Sequence, residues 1–399
     1  MPSSLTGLTP AWRSEVQDND LIRVAQFCNG KVRAGAEEVA FELFRGLTPE
    51  RFRTYLVCPP PLLEAFGELP RNGRVLSLDL QNPWQWPQNR QFVKFLKRER
   101  IDILHAHMTR AALASVPLAR WAGVPVVVQT SHGREAWRRS WPSRQFWIDR
   151  RIAAWTDVTI AVSESTRSYL VAEKKLDPGK IVVIPNGRSM AECQMEPATA
   201  ARLRAELGLV RGRVVLGVFG RLEEQKGHKF FLEALPTISG RVGTITALLV
   251  GNGSLRSALE RQTEDLGLKG KVIFTGHRYD ARHLMALCDL IVLPSLYEGM
   301  PLVPIEAAAL GKAVVATSVD GTLEVIKDGV TGLLVPPRDP ARLCEAITRL
   351  ILDPNFRDAL GKNARVHAAA IFSQERHLRD SASCYERLRD QRSVRRSRR

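Results

Sequence analysis

Val214-Val215-Leu216-Gly217-Val218-Phe219-Gly220-Arg221-Leu222-Glu223-Glu224-Gln225-Lys226-Gly227, running on into His228–Leu235, reads as a buried strand, a Gly-bearing loop and a helix. A continuous apolar run rich in Val and Leu suits a strand covered on both faces, and a helical pattern after it suits a crossover to a parallel neighbour. The unit recurs along the chain. In the first half the apolar runs are Leu21–Phe27, Arg53–Cys58, Ile101–Leu104, Val124–Gln129, Val158–Val162 and Ile181–Ile184. In the second half they are Val214–Gly220, Thr244–Val250, Lys271–Phe274, Asp289–Leu293, Ala313–Ala316 and Gly332–Val335. The series pauses once, over Pro185–Gly212, where Asn186-Gly187 and a polar stretch surround one expected helix at Ala198–Leu207. The pattern predicts an α/β protein of two doubly wound parallel-sheet domains joined by that linker.

Length agrees, since 399 residues exceed one ordinary core and suggest two domains. The expected division is a disordered start at 1–20, domains at 21–188 and 189–372, a helix at 373–390 returning to the first domain, and a disordered basic tail at 391–399. Apolar residues at 44% and charged residues at 25% exclude a disordered or low-complexity chain. No repeat of 20–50 residues is present.

The formal net charge is +16, which points to something acidic nearby: nucleic acid, an anionic membrane surface or a phosphorylated small molecule. Arg392, Arg395, Arg396, Arg398 and Arg399 concentrate part of that excess in the tail. The six cysteines are scattered with no CxxC pair, so neither a disulfide framework nor a zinc cluster is expected, and a reducing cytosol fits. No signal peptide or spanning segment is expected, because no apolar run approaches the roughly 18 residues a spanning helix needs.

In open parallel sheets ligands bind beyond the carboxyl ends of the strands, so the loops after the apolar runs are where chemistry is sought. Arg221 and Lys226 lie five residues apart just before a helix N-terminus. Two cations and free N–H groups there suit a diphosphate, although a solvated basic loop looks the same in isolation. Gly251-Asn252-Gly253 begins a dinucleotide fingerprint but has Arg256 where the third glycine belongs. The two glycines allow close backbone approach to a ligand or a simple tight turn.

Pro294–Glu306 is the most informative loop, with Glu298 and Glu306 eight residues apart and a helix expected to start near Pro301 and end at Gly311. Glu306 shares its face with Val303, Ala307 and Leu310 and therefore needs a polar partner, for which ligand hydroxyls would serve. Backbone N–H groups of Gly299 and Met300 are further candidates for ligand polar atoms. In the first half, His132 follows Val124–Gln129 and is placed to move a proton or bind a hydroxyl. The loop Asn29–Glu37 could present backbone amides to an anion.

Taken together, GRLEEQKG, YEGMPLVPIEAAALGK, SHG, AVSEST, IPNG and DGVTGLLVPPRD resemble the family 4 glycosyltransferases, from about Leu21 to Tyr385. The resemblance implies the GT-B fold, two Rossmann-like domains facing each other across a cleft, and sugar transfer with retention of anomeric configuration. It implies that Arg221 and Lys226 bind the donor diphosphate in place of a metal, that Glu306 binds the nucleotide ribose, and that Glu298, Gly299, Met300, Pro301 and Leu302 lie by the transferred sugar. His132 is implied to sit near the reacting sugar, and Gly35, in Ala34-Gly35 where the family has two glycines, near the donor phosphate or the acceptor. Asp320-Gly321 is a second departure from a usual glycine pair. The only DxD, Asp18-Asn19-Asp20, falls in the expected disordered start, and no cofactor is implied beyond the nucleotide sugar.

The function implied is transfer of a hexose-type sugar from a UDP- or GDP-sugar to a glycan or lipid-linked acceptor in envelope or exopolysaccharide synthesis. The basic, aromatic stretch Trp137–Trp147, continuing to Arg150 and Arg151, suits an anionic lipid–water interface or a helix packing its tryptophans inward. With the Arg-rich tail it suggests a cytoplasmic enzyme peripheral to the membrane. The rivals are a nucleotide-sugar epimerase of the same architecture, a nicotinamide-dependent oxidoreductase with a broken fingerprint, and a basic nucleic-acid binder lacking any recognised motif.

Overall fold

The computed structural model describes residues 20–67, 69, 73–81, 85–134, 146–191 and 195–397. These form two α/β domains, each built on a parallel sheet. The first sheet contains β1 (Ile22–Phe27), β2 (Phe52–Cys58), β3 (Arg74–Ser77), β4 (Ile103–His107), β5 (Val126–Ser131), β6 (Val158–Ala161) and β7 (Ile181–Val183), in the order β3-β2-β1-β4-β5-β6-β7. The second contains β8 (Val214–Phe219), β9 (Ile245–Val250), β10 (Val272–Gly276), β11 (Leu290–Leu293), β12 (Val314–Thr317) and β13 (Leu333–Val335), in the order β10-β9-β8-β11-β12-β13.

Strand composition accounts for the layering. Along β8, Val215 and Phe219 enter one apolar cluster while Leu216 and Val218 enter the cluster on the opposite face. Alternate residues of a strand point to opposite faces, so only an all-apolar run can feed two cores. β1 does the same, with Ala25 and Phe27 on one side and Ile22 and Val24 on the other. All twelve apolar runs are strands. β3 is an addition, short and half-exposed at the sheet edge. β4 and β5 begin two residues later than their runs and carry His105, His107, Thr130 and Ser131 into the sheet.

The order of strands reverses between β1 and β4 and between β8 and β11, and the loops leaving their carboxyl ends open a crevice at each reversal. The two crevices face one another. The chain crosses between domains at Asn186–Arg188 and returns at Phe372–Gln374, and the crossings lie side by side. Arg188 N–H donates to Phe372 O (2.9 Å) and Gln374 N–H to Arg188 O (3.0 Å). A Cβ on Gly187 would stand 2.4 Å from Ser373 O, so only glycine fits between them.

After the second crossing the helix Gln374–Ser397 lies on the first domain, where Cys384, Tyr385 and Leu388 join the cluster of Ile22, Val24, Phe52 and Val128. This helix corrects one expectation. Residues 391–397 continue it instead of forming a disordered tail, with Arg392 on Asp157 (2.6 Å). Residues 1–19, with Asp18 and Asn19, lie outside the described residues, as do Cys193 and 137–145 of the tryptophan stretch. The other five cysteines are buried and free. Among the described residues no helix is long and apolar enough to cross a membrane.

Candidate active site

The loop after β8 carries Arg221 and Lys226 to the mouth of the second crevice. It ends at Gly227 in a left-handed turn (φ 62°), where a Cβ would stand 2.0 Å from Pro294 O of the loop after β11. The two loops are stitched together: Leu296 N–H donates to Gln225 O (2.7 Å) and the Gln225 amide to Tyr297 O (3.0 Å). As a result Lys226 Nζ meets Glu298 Oε1 at 2.6 Å, with the Lys side chain 16% and the Glu side chain 6% exposed. Ser295 Oγ donates to the same carboxylate oxygen (2.6 Å). Arg221 is exposed, touches Gln225 (3.3 Å), and acts electrostatically on Glu37 of the first domain. Burial raises the Glu37 carboxyl above its ordinary value, and Arg221 is among the groups that oppose the rise.

Gly251 and Gly253 have a packing reason. A Cβ on either would strike the backbone of the Arg221 loop, at Gly220 O (1.9 Å) and Leu222 O (2.4 Å) respectively. Asn252 turns its Oδ1 to the Gly253 N–H (3.0 Å), and its carbonyl accepts from Leu222 N–H (3.0 Å). These residues brace the cationic loop.

The loop after β11 also forms the contact between domains. Gly299 is wedged against the first domain's His132-Gly133: a Cβ on Gly299 would stand 2.0 Å from His132 O. Ser163 Oγ donates to Gly299 O (2.9 Å), and the Asn186 amide to Met300 O (3.3 Å). Pro301 caps the helix Leu302–Ala309, and Leu302 reaches to 3.2 Å of where a Gly35 Cβ would be. His132, Gly35, Arg221, Lys226, Glu298, Gly299, Met300, Pro301, Leu302 and Glu306 therefore come together around one cleft.

Sequence reasoning missed Arg188 and Glu324 here, and marked Asp320 only as a departure from a glycine. Arg188 is nearly buried and pairs with Glu306 (2.8 Å) and with Glu42 (2.5 Å), so the polar partner Glu306 requires is a guanidinium from the linker. Those acids hold the Arg188 pKa above its usual range despite burial. Asp320 adopts φ 36° in place of a glycine, and its carboxylate accepts from Glu298 N–H (3.2 Å). Glu324 accepts from the N–H groups of Glu164 and Ser165 (both 2.9 Å), capping a first-domain helix from the second domain. Among the described residues no group of three or more His, Cys, Asp or Glu side chains is arranged to hold a metal ion.

Two family models match the chain: Glycosyltransferase Family 4 over residues 33–191 and Glycosyl transferases group 1 over residues 200–367. A D-inositol 3-phosphate glycosyltransferase of Frankia alni is 30% identical over 289 residues, 68% of this chain and 70% of that one. The chain is a group 1 glycosyltransferase of the family 4 type. An Escherichia coli UDP-Gal:alpha-D-GlcNAc-diphosphoundecaprenol alpha-1,3-galactosyltransferase is 28% identical, covering 86% of this chain and 91% of its own. The Anabaena protein HepE, crystallised with UDP-glucose, superposes with a TM-score of 0.81 at 24% identity, covering 92% of this glycosyltransferase and 99% of HepE. The fold is GT-B.

The histidines of this glycosyltransferase predict its acid sensitivity. Burial pushes His105 and His132 down to about 3 and His228 to about 4, against an ordinary 6.5. Between those values the unfolded chain binds protons that the folded one refuses, so their contribution to stability is complete above about pH 6.5 and is lost as pH falls. The melting temperature is expected to be flat from pH 8 to 6.5 and to drop steadily toward pH 4.5. A melt that stayed level to pH 4.5 would contradict the burial of these rings.

Proposed function

We propose that the protein transfers a hexose-type sugar, with retention, from a UDP- or GDP-sugar to a glycan or lipid-linked acceptor of envelope or exopolysaccharide synthesis, without a metal. The observation that carries this reading is the convergence of Arg221, Lys226, Glu298 and Glu306 on one crevice opposite His132. The donor diphosphate would lie between Arg221 and Lys226, at the start of the helix His228–Val242. The ribose would take up Glu306, already oriented by Arg188. The sugar would sit by Glu298 and the amides of Gly299 and Met300, with His132 over it from the other domain.

In the step itself, the bond between the anomeric carbon and the diphosphate oxygen breaks while the acceptor oxygen bonds to the same face of that carbon. The acceptor proton passes to the departing diphosphate oxygen. Arg221 and Lys226 stabilise the growing negative charge of the leaving group, and closure of the domains excludes water. A thermal-shift panel of UDP-, GDP- and ADP-sugars with magnesium or EDTA tests the reading. One donor at a hundred times its Kd contributes ~2.7 kcal/mol, a rise of roughly 3–7 °C. The rise is expected with EDTA present and absent in Glu306→Ala; dependence on magnesium would sink the metal-free mechanism, and turnover of donor without acceptor would favour the epimerase.

Closure has a predicted cost when its cap is removed. Glu324→Ala leaves two N–H groups of the helix Glu164–Ala172 without their acceptor, a change of ~1 kcal/mol by analogy with helix caps. Donor KM is expected to rise about fivefold with kcat little changed; an unaltered KM would mean that Glu324 does not favour the closed state.

The membrane part of the reading rests on the helix Phe146–Trp155. Trp147, Arg150, Arg151 and Trp155 are all exposed and lie on one face, so its tryptophans do not pack in the core. That helix packs beside Thr109–Ala122, whose Trp121 is also exposed, which in turn packs beside Trp86–Arg98 with exposed Trp86. Such a face suits anionic headgroups. Replacing Trp147 and Trp155 by alanine is expected to abolish co-sedimentation with phosphatidylglycerol vesicles at low salt, and wild-type protein that ignores the vesicles would end this part of the reading.

A further inference from the structure

Beneath His132, buried polar side chains from four elements form one continuous chain. His132 Nε2 lies 3.4 Å from His107 Nδ1. His107 Nε2 lies 2.9 Å from Gln26 Oε1, and the Gln26 amide donates to Tyr385 Oη (3.2 Å). Tyr385 Oη meets His105 Nδ1 at 2.6 Å, and His105 Nε2 meets Thr130 Oγ1 at 2.6 Å. Gln26, His105, His107, Thr130 and Tyr385 are all nearly inaccessible, so water does not substitute for any of these partners.

The Gln26 amide, with its oxygen toward His107 and its nitrogen toward Tyr385, gives the chain a direction, because each neutral imidazole has one donor nitrogen and one acceptor nitrogen. Gln26 Oε1 can only accept, so His107 carries its hydrogen on Nε2. His107 Nδ1 is then a lone pair, and the hydrogen between the two rings belongs to His132 Nε2. On the far side the Gln26 amide donates to Tyr385, which donates to His105 Nδ1, which leaves His105 Nε2–H for Thr130. Turning the Gln26 amide over would reverse every bond and move the His132 hydrogen to Nδ1. Burial keeps the rings neutral, which removes the doubly protonated alternative.

We propose that Tyr385, Gln26 and His107 are positioning residues that fix His132 as the Nε2–H tautomer, leaving Nδ1 as a lone pair that accepts a sugar hydroxyl. The consequence for turnover rests on the proposed placement of His132 over the donor sugar; the tautomer itself does not. The anchor at the far end belongs to the helix Gln374–Ser397, which has crossed back from the second domain, so the setting of His132 depends on the chain's return.

The test is nitrogen-15 NMR of protein labelled in histidine, with the His132 signals assigned by comparison with His132→Gln. The wild type is expected to show His132 as a single Nε2–H form. Tyr385→Phe keeps the ring packed and removes only the hydroxyl, freeing the Gln26 amide. It is expected to give mixed tautomers at His132 and a kcat at least tenfold lower with donor KM unchanged. Gln26→Glu, which still accepts from His107 Nε2–H, is expected to retain the Nε2–H form, and Gln26→Met to lose it. A wild-type His132 that is mixed or protonated on Nδ1 overturns the proposal, whatever the variants do. So does a Tyr385→Phe protein whose His132 is mixed while kcat is unchanged. Neither result touches donor binding, so a failure of the glycosyltransferase reading would register separately in the nucleotide-sugar panel.

Discussion

Lys226→Met is expected to lower kcat at least a hundredfold, the order of loss seen when one preorganised donor to a developing negative charge is removed. The ammonium stands at the start of the helix His228–Val242, where the proposed diphosphate departs, and Arg221, exposed and five residues earlier, acts beside it and not in its place. The same substitution damages stability, and the two effects separate. Glu298 is 6% exposed and pairs with Lys226 at 2.6 Å, so removing the ammonium leaves a buried carboxylate held by Ser295 alone. Breaking such a pair costs ~3–5 kcal/mol, whereas replacing both partners by neutral groups is often close to neutral. The double variant Lys226→Met, Glu298→Gln should therefore recover most of the melting temperature and none of the turnover. Recovery of turnover along with stability would show that Lys226 serves folding and not the leaving group.

The sheets are legible in the sequence because their strands are buried on both faces. An apolar run such as Leu290–Leu293, only four residues long and flanked by loops, is too short for a core helix and too apolar for a surface turn. β3 escapes because Arg74-Val75-Leu76-Ser77 is short and lies at an edge with polar ends, leaving no continuous apolar signal. The candidate site is legible where chemistry lies within one loop, as in Arg221 with Lys226 or Glu298 with Glu306. Arg188 is not, because its partners Glu42 and Glu306 come from two domains and no spacing joins them. A signal exists nonetheless in Glu306 itself, an acid on an apolar face that demands a partner. Glu324 leaves no trace, since a carboxylate in a four-residue helix gives no sign that it caps a helix of the other domain. The paired His105 and His107 are legible in principle as two imidazoles two residues apart. That spacing puts both on one face of a strand, but the apolar run stops at Leu104, just short of them.

Gly299→Ala isolates what domain contact contributes. A Cβ there would stand 2.0 Å from His132 O and 2.9 Å from Gly133 Cα, and both obstacles are backbone of the opposite domain. No rotamer change relieves that overlap, so the domains must separate. The sheets of each should be spared, because Gly299 lies in a loop and, among the described residues, the two apolar clusters of the second domain draw a single residue, Val162, from the first. Separation removes the Ser163 hydrogen bond to Gly299 O and draws His132 away from Glu298. Displacing a reacting group by about 1 Å can cost roughly a hundredfold in rate, and the overlap to be relieved is at least that large. The expected result is a kcat two or more orders of magnitude lower, a larger radius of gyration by small-angle X-ray scattering with saturating donor, and a melting temperature within a few degrees of wild type. Gly240→Ala is the control. It lies in the helix His228–Val242 with open space at its Cβ and should leave turnover unchanged while stabilising the protein by ~0.5–1 kcal/mol. If Gly299→Ala retained full kcat, the close approach of His132-Gly133 to the loop after β11 would have no part in turnover, and the sugar would have to be gripped from the second domain alone.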